Sequence, residues 1–214
     1  MIIPSRLVEY IVAAMIIILA PGPSVLFVIA RAIAWGRKVA VFTVIGNVSG
    51  SFVLSVFVAL GLGPVLQKSD LAYTAVQWGG GLYLMYLGLD AIRKREVHAA
   101  DMTNQGDLAP RALRSMRDGF WVGALNPKAI VFYAAVLPQF IDREKGQITA
   151  QLILLGAIFS TLALLSDGSW GLLAGTARAW LAKDASRLEK LRATGGAIMI
   201  FLGLSVLLLA IINR

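Results

Sequence analysis

The feature that most constrains this chain is the distribution of its charged residues, which leaves six long stretches almost without charge. Each stretch has at least 19 residues, and a helix of about 20 apolar residues crosses the ~30 Å hydrocarbon core of a bilayer. In lipid only helices and closed barrels satisfy the backbone, and barrel strands would alternate polar and apolar residues. We therefore predict an all-α, polytopic membrane protein with six transmembrane helices, within residues 10–30, 39–67, 71–89, 119–141, 146–177 and 193–213.

The composition agrees with this fold class, because 58 % of the residues are hydrophobic and only 15 % are charged, against about a quarter in soluble domains. A signal peptide is the alternative for the first stretch. Its basic region is weak, with Arg6 followed by Glu9, and Pro21 follows Ala20 where a cleavage site would need small residues. We interpret this stretch as a retained helix. The chain has no cysteine, so disulfides and thiolate metal sites are excluded.

The basic residues predict the orientation of the helices. Of 20 Lys and Arg residues, 14 lie in the connections 31–38, 93–117 and 178–192. Cytoplasmic loops carry such an excess, so we expect these connections in the cytoplasm and both termini outside it. The net charge of +8 is then an orientation signal that also favours contact with anionic membrane lipids, and no nucleic-acid partner is expected.

The second half of the chain repeats part of the first. "GGLYLMYLGL" at 80–89 matches "GGAIMIFLGL" at 195–204, with three glycines at one fixed offset. Three helices per half is an odd number, so the two halves would enter the membrane from opposite sides, as in many secondary transporters. We predict a 3+3 inverted repeat, with a first repeat at 1–92, a basic cytoplasmic loop at 93–118 and a second repeat at 119–214.

Two proline motifs mark the predicted substrate site. Transporters of this construction bind substrate near the bilayer midplane, at discontinuous helices in matching positions of the two halves. Proline interrupts the helical hydrogen bonds, and each break starts a half-helix with unpaired N–H groups and a positive dipole end. With one lysine, two such ends would bind an anion, most simply a carboxylate. The candidate substrate-binding residues are Pro21, Gly22, Pro23, Ser24, Asn126, Pro127 and Lys128. Alternatively, Lys128 reaches the membrane surface or pairs with an acid, and the prolines only kink packed helices.

Asp167, in "LLSDGSW", is the candidate proton-coupling residue. A carboxylate in a low-dielectric site holds a proton more readily than one in water. The alternatives are a structural ion pair with Lys128 and an interfacial position. In the second helix, "GNVSGS" has Gly46 and Gly50 at a spacing typical of helix packing, and its polar side chains Asn47, Ser49 and Ser51 are candidates to face a polar path.

Three stretches resemble the LysE/RhtB family of bacterial amino-acid exporters. They are "APGPSVLFVIARAIAWGRKVAVFTVIGNVSG" at 20–50, "GGLYLMYLGL" at 80–89 and "GFWVGALNPKAIVFYAAVLPQFID" at 119–142. The resemblance implies an exporter of amino acids or close derivatives, driven by the proton-motive force, in the bacterial plasma membrane. Two positions depart from the family: Ser24 stands where members often have Asp or Asn, and Ser51 stands where many have an acid. The missing acids argue against a cationic substrate, so we expect a neutral amino acid.

Several other functions stay open at this stage. A different small cargo is one, either a metal cation or an amino-acid-derived signal, although few acids and no membrane histidine weigh against metal. An enzyme is not expected, because the single histidine, His98, lies in a loop and no nucleophile–base pair is visible, and no cofactor is expected. A structural membrane subunit without transport is a further alternative. The sequence does not decide whether the chain forms a homo-oligomer.

Overall fold

The computed structural model describes residues 3–68, 70–94, 110–176 and 184–212, and they form an all-helical bundle. Within these ranges there is no β-strand, which confirms the all-α fold class. Most of the remaining chain, including His98, lies in two segments outside the described residues. The helices are α1 Leu7–Leu19, α2 Pro23–Trp35, α3 Arg37–Lys68, α4 Asp70–Arg93, α5 Ala112–Ala124, α6 Pro127–Val131, α7 Ile148–Thr176 and α8 Ala185–Ile212, with a π-helical turn at Phe132–Val136 and a 3-10 turn at Leu137–Phe140 after α6.

Two helices are long and apolar enough to cross a membrane alone, α3 over Arg37–Gly61 and α7 over Ile148–Thr176. Two more spans follow if each bent pair counts as one. The pair α1–α2 bends by 49°, and the pair formed by α5 and Pro127–Phe140 bends by 43°. The described residues therefore contain two to four candidate spans by length and composition, and the full set of six stays a prediction.

The outer surface of the bundle is rich in large apolar side chains. Val8, Phe57 and Leu71 are each at least 70 % exposed, and similar residues follow the outward faces of α7 and α8. A water-soluble monomer rarely exposes contiguous apolar surface on this scale, whereas lipid covers it without cost. Together with the candidate spans, this surface identifies a multi-pass membrane protein.

Helices α3 and α5 pack in parallel with their backbones in contact. A side chain on Gly46 or Gly50 would overlap the carbonyl groups of Met116 or Phe120. From the opposite helix, a side chain on Gly123 would overlap the Asn47 carbonyl. Small residues allow this close approach, which fixes Asn47 of α3 next to the second helix break.

The glycines of the repeat lie in the contact between the antiparallel helices α4 and α8, where Gly88 faces Gly196, the match of Gly81. A Cβ on Gly88 would lie 2.5 Å from the Gly196 oxygen, and a Cβ on Gly196 would lie 2.6 Å from the Gly88 oxygen. Gly81 and Gly203 oppose each other in the same way, with a Cβ on Gly203 2.6 Å from the Gly81 oxygen. The equivalent positions of the two halves thus build one reciprocal interface.

Helix α5 begins at Ala112, inside the range 93–118 that the sequence indicated as a loop. Its buried residues, Ser115, Gly119 and Gly123, recur every four positions, so they form one face that packs on α3. The basic residues of this helix turn away from that face, which is why charge alone suggested a loop. The division of the chain into two repeats and a connecting loop stays a prediction.

Candidate functional site

The first helix break follows from two prolines. The carbonyl of Ile17 would accept from the N–H of residue 21 and that of Leu19 from residue 23, but Pro21 and Pro23 have no N–H. Helix α1 therefore ends at Leu19 and α2 begins at Pro23. The break leaves carbonyl groups that need new partners inside the bundle.

The second break is built around Asn126. Its Oδ1 accepts a hydrogen bond from the Lys128 backbone N–H at 3.1 Å, which caps the start of α6. Pro127 occupies the first helical position, where its missing N–H is not needed. The Asn126 Nδ2 donates to Ser24 Oγ at 3.0 Å, so the starts of α2 and α6 are joined directly.

Lys128 crosses from the second break to the first. Its Nζ donates to the carbonyl oxygens of Ile17 at 3.0 Å and Ala20 at 2.8 Å, and the residue is only 5 % exposed. We predicted that the lysine would join two positive helix ends. Instead, its ammonium group binds the carbonyl end of α1, where a cation is favoured. The described residues leave one of its three N–H donors for another partner.

The other predicted residues of the first break have distinct structural roles. A Cβ on Gly22 would lie 3.0 Å from both Cε and Nζ of Lys128, so the glycine gives the lysine room to pass. Pro21 and Pro23 create the break, and they line a separate crevice with Asp90. Of the predicted set, the structure brings Ser24, Asn126 and Lys128 together at one cavity.

Asp167 lies at the same cavity as Lys128 and is 4 % exposed. Its Oδ2 accepts a hydrogen bond from Asn47 Nδ2 at 3.1 Å. Within the described residues no direct ion pair joins Asp167 to Lys128, so the two charges line one space without direct contact. No group of three His, Asp or Glu side chains that would hold a metal occurs in the described part of the chain.

The cavity is small and mixed in character. Its volume is about 30 Å³, room for about one water molecule and far below the ~300–1,000 Å³ of ligand pockets. In this structure the cavity is therefore too small for an amino acid. The polar lining residues are Ser24, Asn47, Ser51, Asn126, Lys128 and Asp167, and the apolar ones are Ile17, Ile18, Val25, Val48, Ala129, Phe132, Phe159 and Ala163.

Helix α3 supplies two of these polar residues. Asn47 and Ser51 are four positions apart and therefore share one face, whereas the exposed Ser49 donates back to the Ile45 carbonyl. Ser51 Oγ lies 2.9 Å from the Tyr133 hydroxyl. Helical spacing separates Asn47 and Ser51 from Ser49, but no sequence signal singled out Tyr133 among apolar neighbours.

Comparison with known proteins places the chain in a family. It is 28 % identical to the "Homoserine/homoserine lactone efflux protein" of Salmonella typhimurium over 91 % of this chain and 92 % of that protein. It is 32 % identical to the "Threonine efflux protein" of Escherichia coli (73 % and 78 % covered) and 30 % identical to the "Leucine efflux protein" of an Enterobacter species (73 % and 72 % covered). No solved structure matches the chain significantly. The model of the family described as "LysE type translocator" matches residues 15–210, and the chain therefore belongs to this family.

Proposed function

We propose that this protein is a secondary transporter that exports neutral amino acids or close derivatives across the bacterial plasma membrane, driven by the proton gradient. The observation that carries the proposal is the buried cavity where two broken spans meet, because it holds one cation, Lys128, and one carboxylate, Asp167. Such charges inside a membrane bundle favour a functional role over a structural one.

The charges of the cavity match the two ends of an amino acid. The third donor of the Lys128 ammonium would bind the substrate carboxylate, and Asp167 would attract its ammonium group. The apolar part of the lining, with Val25 and Phe159, suits an uncharged side chain. Relatives named for homoserine, threonine and leucine efflux support this class of substrate.

The small size of the cavity favours an alternating-access mechanism. A substrate larger than water enters only if the two broken spans move apart, and an inverted repeat provides two related halves for such a motion. The reciprocal glycine contacts between α4 and α8 support a 3+3 arrangement of six spans. In this arrangement both termini lie outside the cytoplasm, as the basic loops indicate.

The proposal is tested by export assays in cells that overexpress the protein. We expect one or more neutral amino acids of a full panel to leave these cells faster than control cells, and a protonophore to abolish the difference. Lys128→Ala should remove export, whereas Lys38→Ala, which removes an exposed lysine, should not. A panel in which no amino acid responds would overturn the proposal.

A lactone derivative is a second candidate cargo, favoured by the name of the Salmonella typhimurium relative. Homoserine lactone has an ammonium group but no free carboxylate, so the third donor of Lys128 would have no carboxylate to bind. Lys128→Ala should then spare lactone export while amino-acid export is lost, and the same cells serve for both assays.

A further inference from the structure

Asn47 stands out among the buried polar residues because half of its amide has no partner. Its Nδ2 donates to Asp167, but Oδ1 has no hydrogen-bond partner among the described residues. The residue is 4 % exposed and lines the central cavity. Its position is fixed, because its backbone packs against Gly123 of α5.

While Asp167 is ionised, rotation of the amide does not relieve this oxygen. An ionised carboxylate only accepts hydrogen bonds, so the NH₂ group must face Asp167 and the oxygen must face elsewhere. A buried acceptor without a donor is unfavourable and rare in native proteins. Other buried polar groups of this cavity are paired, including the side chains of Ser24, Ser51 and Asn126.

We propose that Asn47 is a specificity-determining residue whose Oδ1 accepts a hydrogen bond from the ammonium group of the substrate. This inference rests on the proposed function. It adds, beside Asp167, a hydrogen-bond acceptor for the ammonium group of the substrate. The neighbouring carboxylate of Asp167 makes the potential negative there, so a cationic N–H donor is preferred over a hydroxyl. Asn47 thereby separates α-amino acids from α-hydroxy acids, which share the carboxylate and the side chain.

The test uses purified full-length protein in liposomes and two ligand pairs that differ only in this group. They are leucine with 2-hydroxy-4-methylpentanoate, and threonine with 2,3-dihydroxybutanoate. Uptake of the labelled amino acid is competed with each unlabelled compound. The wild-type protein should prefer the amino acid by about 10- to 100-fold, the range for a hydrogen bond to a charged group.

Asn47→Ala should lose part of this preference, because the amino acid loses a charge-assisted hydrogen bond, whereas the hydroxy acid loses a weaker neutral one. Asn47→Leu keeps the number and branching of the side-chain heavy atoms and provides a second variant if the first does not fold. Ser49→Ala, on the exposed side of the same helix, should behave as wild type.

The possible results separate this inference from the function on which it rests. If wild-type liposomes transport no amino acid, both fail. If they transport amino acids but do not prefer them over hydroxy acids, or if the variants keep the preference, only the assignment of Asn47 fails. Equal weakening of both ligands would show a purely structural role and would also overturn it.

Discussion

Arg31 of α2 and Asp118 of α5 form a 2.8 Å ion pair that joins the second half of one broken span to the first half of the other. The guanidinium group also lies 4.8 Å from the Phe27 ring centre and 5.1 Å from that of Trp35. Its Nε and Nη1 are buried without hydrogen-bond partners among the described residues, so Asp118 is the group that balances this charge.

Removing only one partner of this pair should therefore destabilise the protein strongly. We expect Asp118→Asn to lower the free energy of unfolding by about 2–3 kcal/mol, because it leaves a buried cation unpaired. The partial exposure of Asp118 places this loss below the ~3–5 kcal/mol of fully buried pairs. Arg31→Met combined with Asp118→Asn should recover most of this loss. Unfolding of the single and double variants in detergent measures the coupling.

The exposed pair Lys94–Asp90, at 2.6 Å and four residues apart, is the matched control. Its coupling should stay below about 1 kcal/mol, as for other surface pairs. Equal coupling energies in the two pairs would contradict the claim that the buried Arg31 depends on Asp118.

Gly123→Ala should disrupt the contact between α3 and α5. The added methyl group would overlap the Asn47 carbonyl, so backbone atoms must move, and overpacking of this kind costs about 1–3 kcal/mol. Export should fall as well, because Asn47 would shift. Gly61→Ala is the control, since nothing lies within 4 Å of its Cβ position and alanine favours a helix. The thermal midpoint of unfolding is measured for each variant. A Gly123→Ala protein as stable as the Gly61→Ala protein would refute the close packing of α3 and α5.

Gly22→Ala should reduce export with little loss of stability. The backbone at Gly22 is extended, with φ −93°, so alanine brings no strain. Its methyl group would instead push on the Lys128 side chain, 3.0 Å away, and weaken the bonds to Ile17 and Ala20. We expect about a tenfold lower export rate, the equivalent of about 1.4 kcal/mol, at an unchanged expression level; a wild-type rate would show that the lysine position is not critical.

Asp167→Asn should uncouple transport from the proton gradient. The amide keeps an oxygen for the bond from Asn47 but does not take up and release a proton in the physiological range. Export down a concentration gradient should persist in part, while a protonophore should no longer alter it. Asp184→Asn, at the surface pair with Arg187, should keep the wild-type response. A normal protonophore response in Asp167→Asn would remove the proposed role.

The stability of the loop after the second broken span should depend on pH. Lys145 Nζ lies 3.1 Å from Asp142 and Ser5 donates to it at 3.3 Å, and these contacts lower the pKa of Asp142 below its usual value. Because the folded pKa is depressed, the contact stabilises the fold above the unfolded pKa of about 3.9 and is lost as pH falls through the folded pKa. Lys145→Ala should raise the pKa of Asp142, which carboxyl NMR titration measures; an unchanged pKa would contradict the pairing.

The sequence predicted those parts of the site that depend on local chemistry. Proline removes a hydrogen-bond donor wherever it occurs, so the breaks at Pro23 and Pro127 were visible in the sequence, and charge in an apolar segment marked Lys128 and Asp167. It did not show the partner of the Lys128 ammonium. The carbonyls of Ile17 and Ala20 lie more than 100 positions away. Every residue has a backbone carbonyl, so the sequence does not distinguish these two.

By itself, the sequence determined the helical, membrane-spanning class of the protein, the two helix breaks and the buried charges, because these depend on hydropathy, proline and charge along one segment. Only the tertiary structure decided that Asn47 meets Asp167, that Arg31 meets Asp118 and that the repeated glycines face each other. Those relationships depend on how helices distant in sequence pack, and a pairwise contact leaves no trace in the pattern of either helix alone.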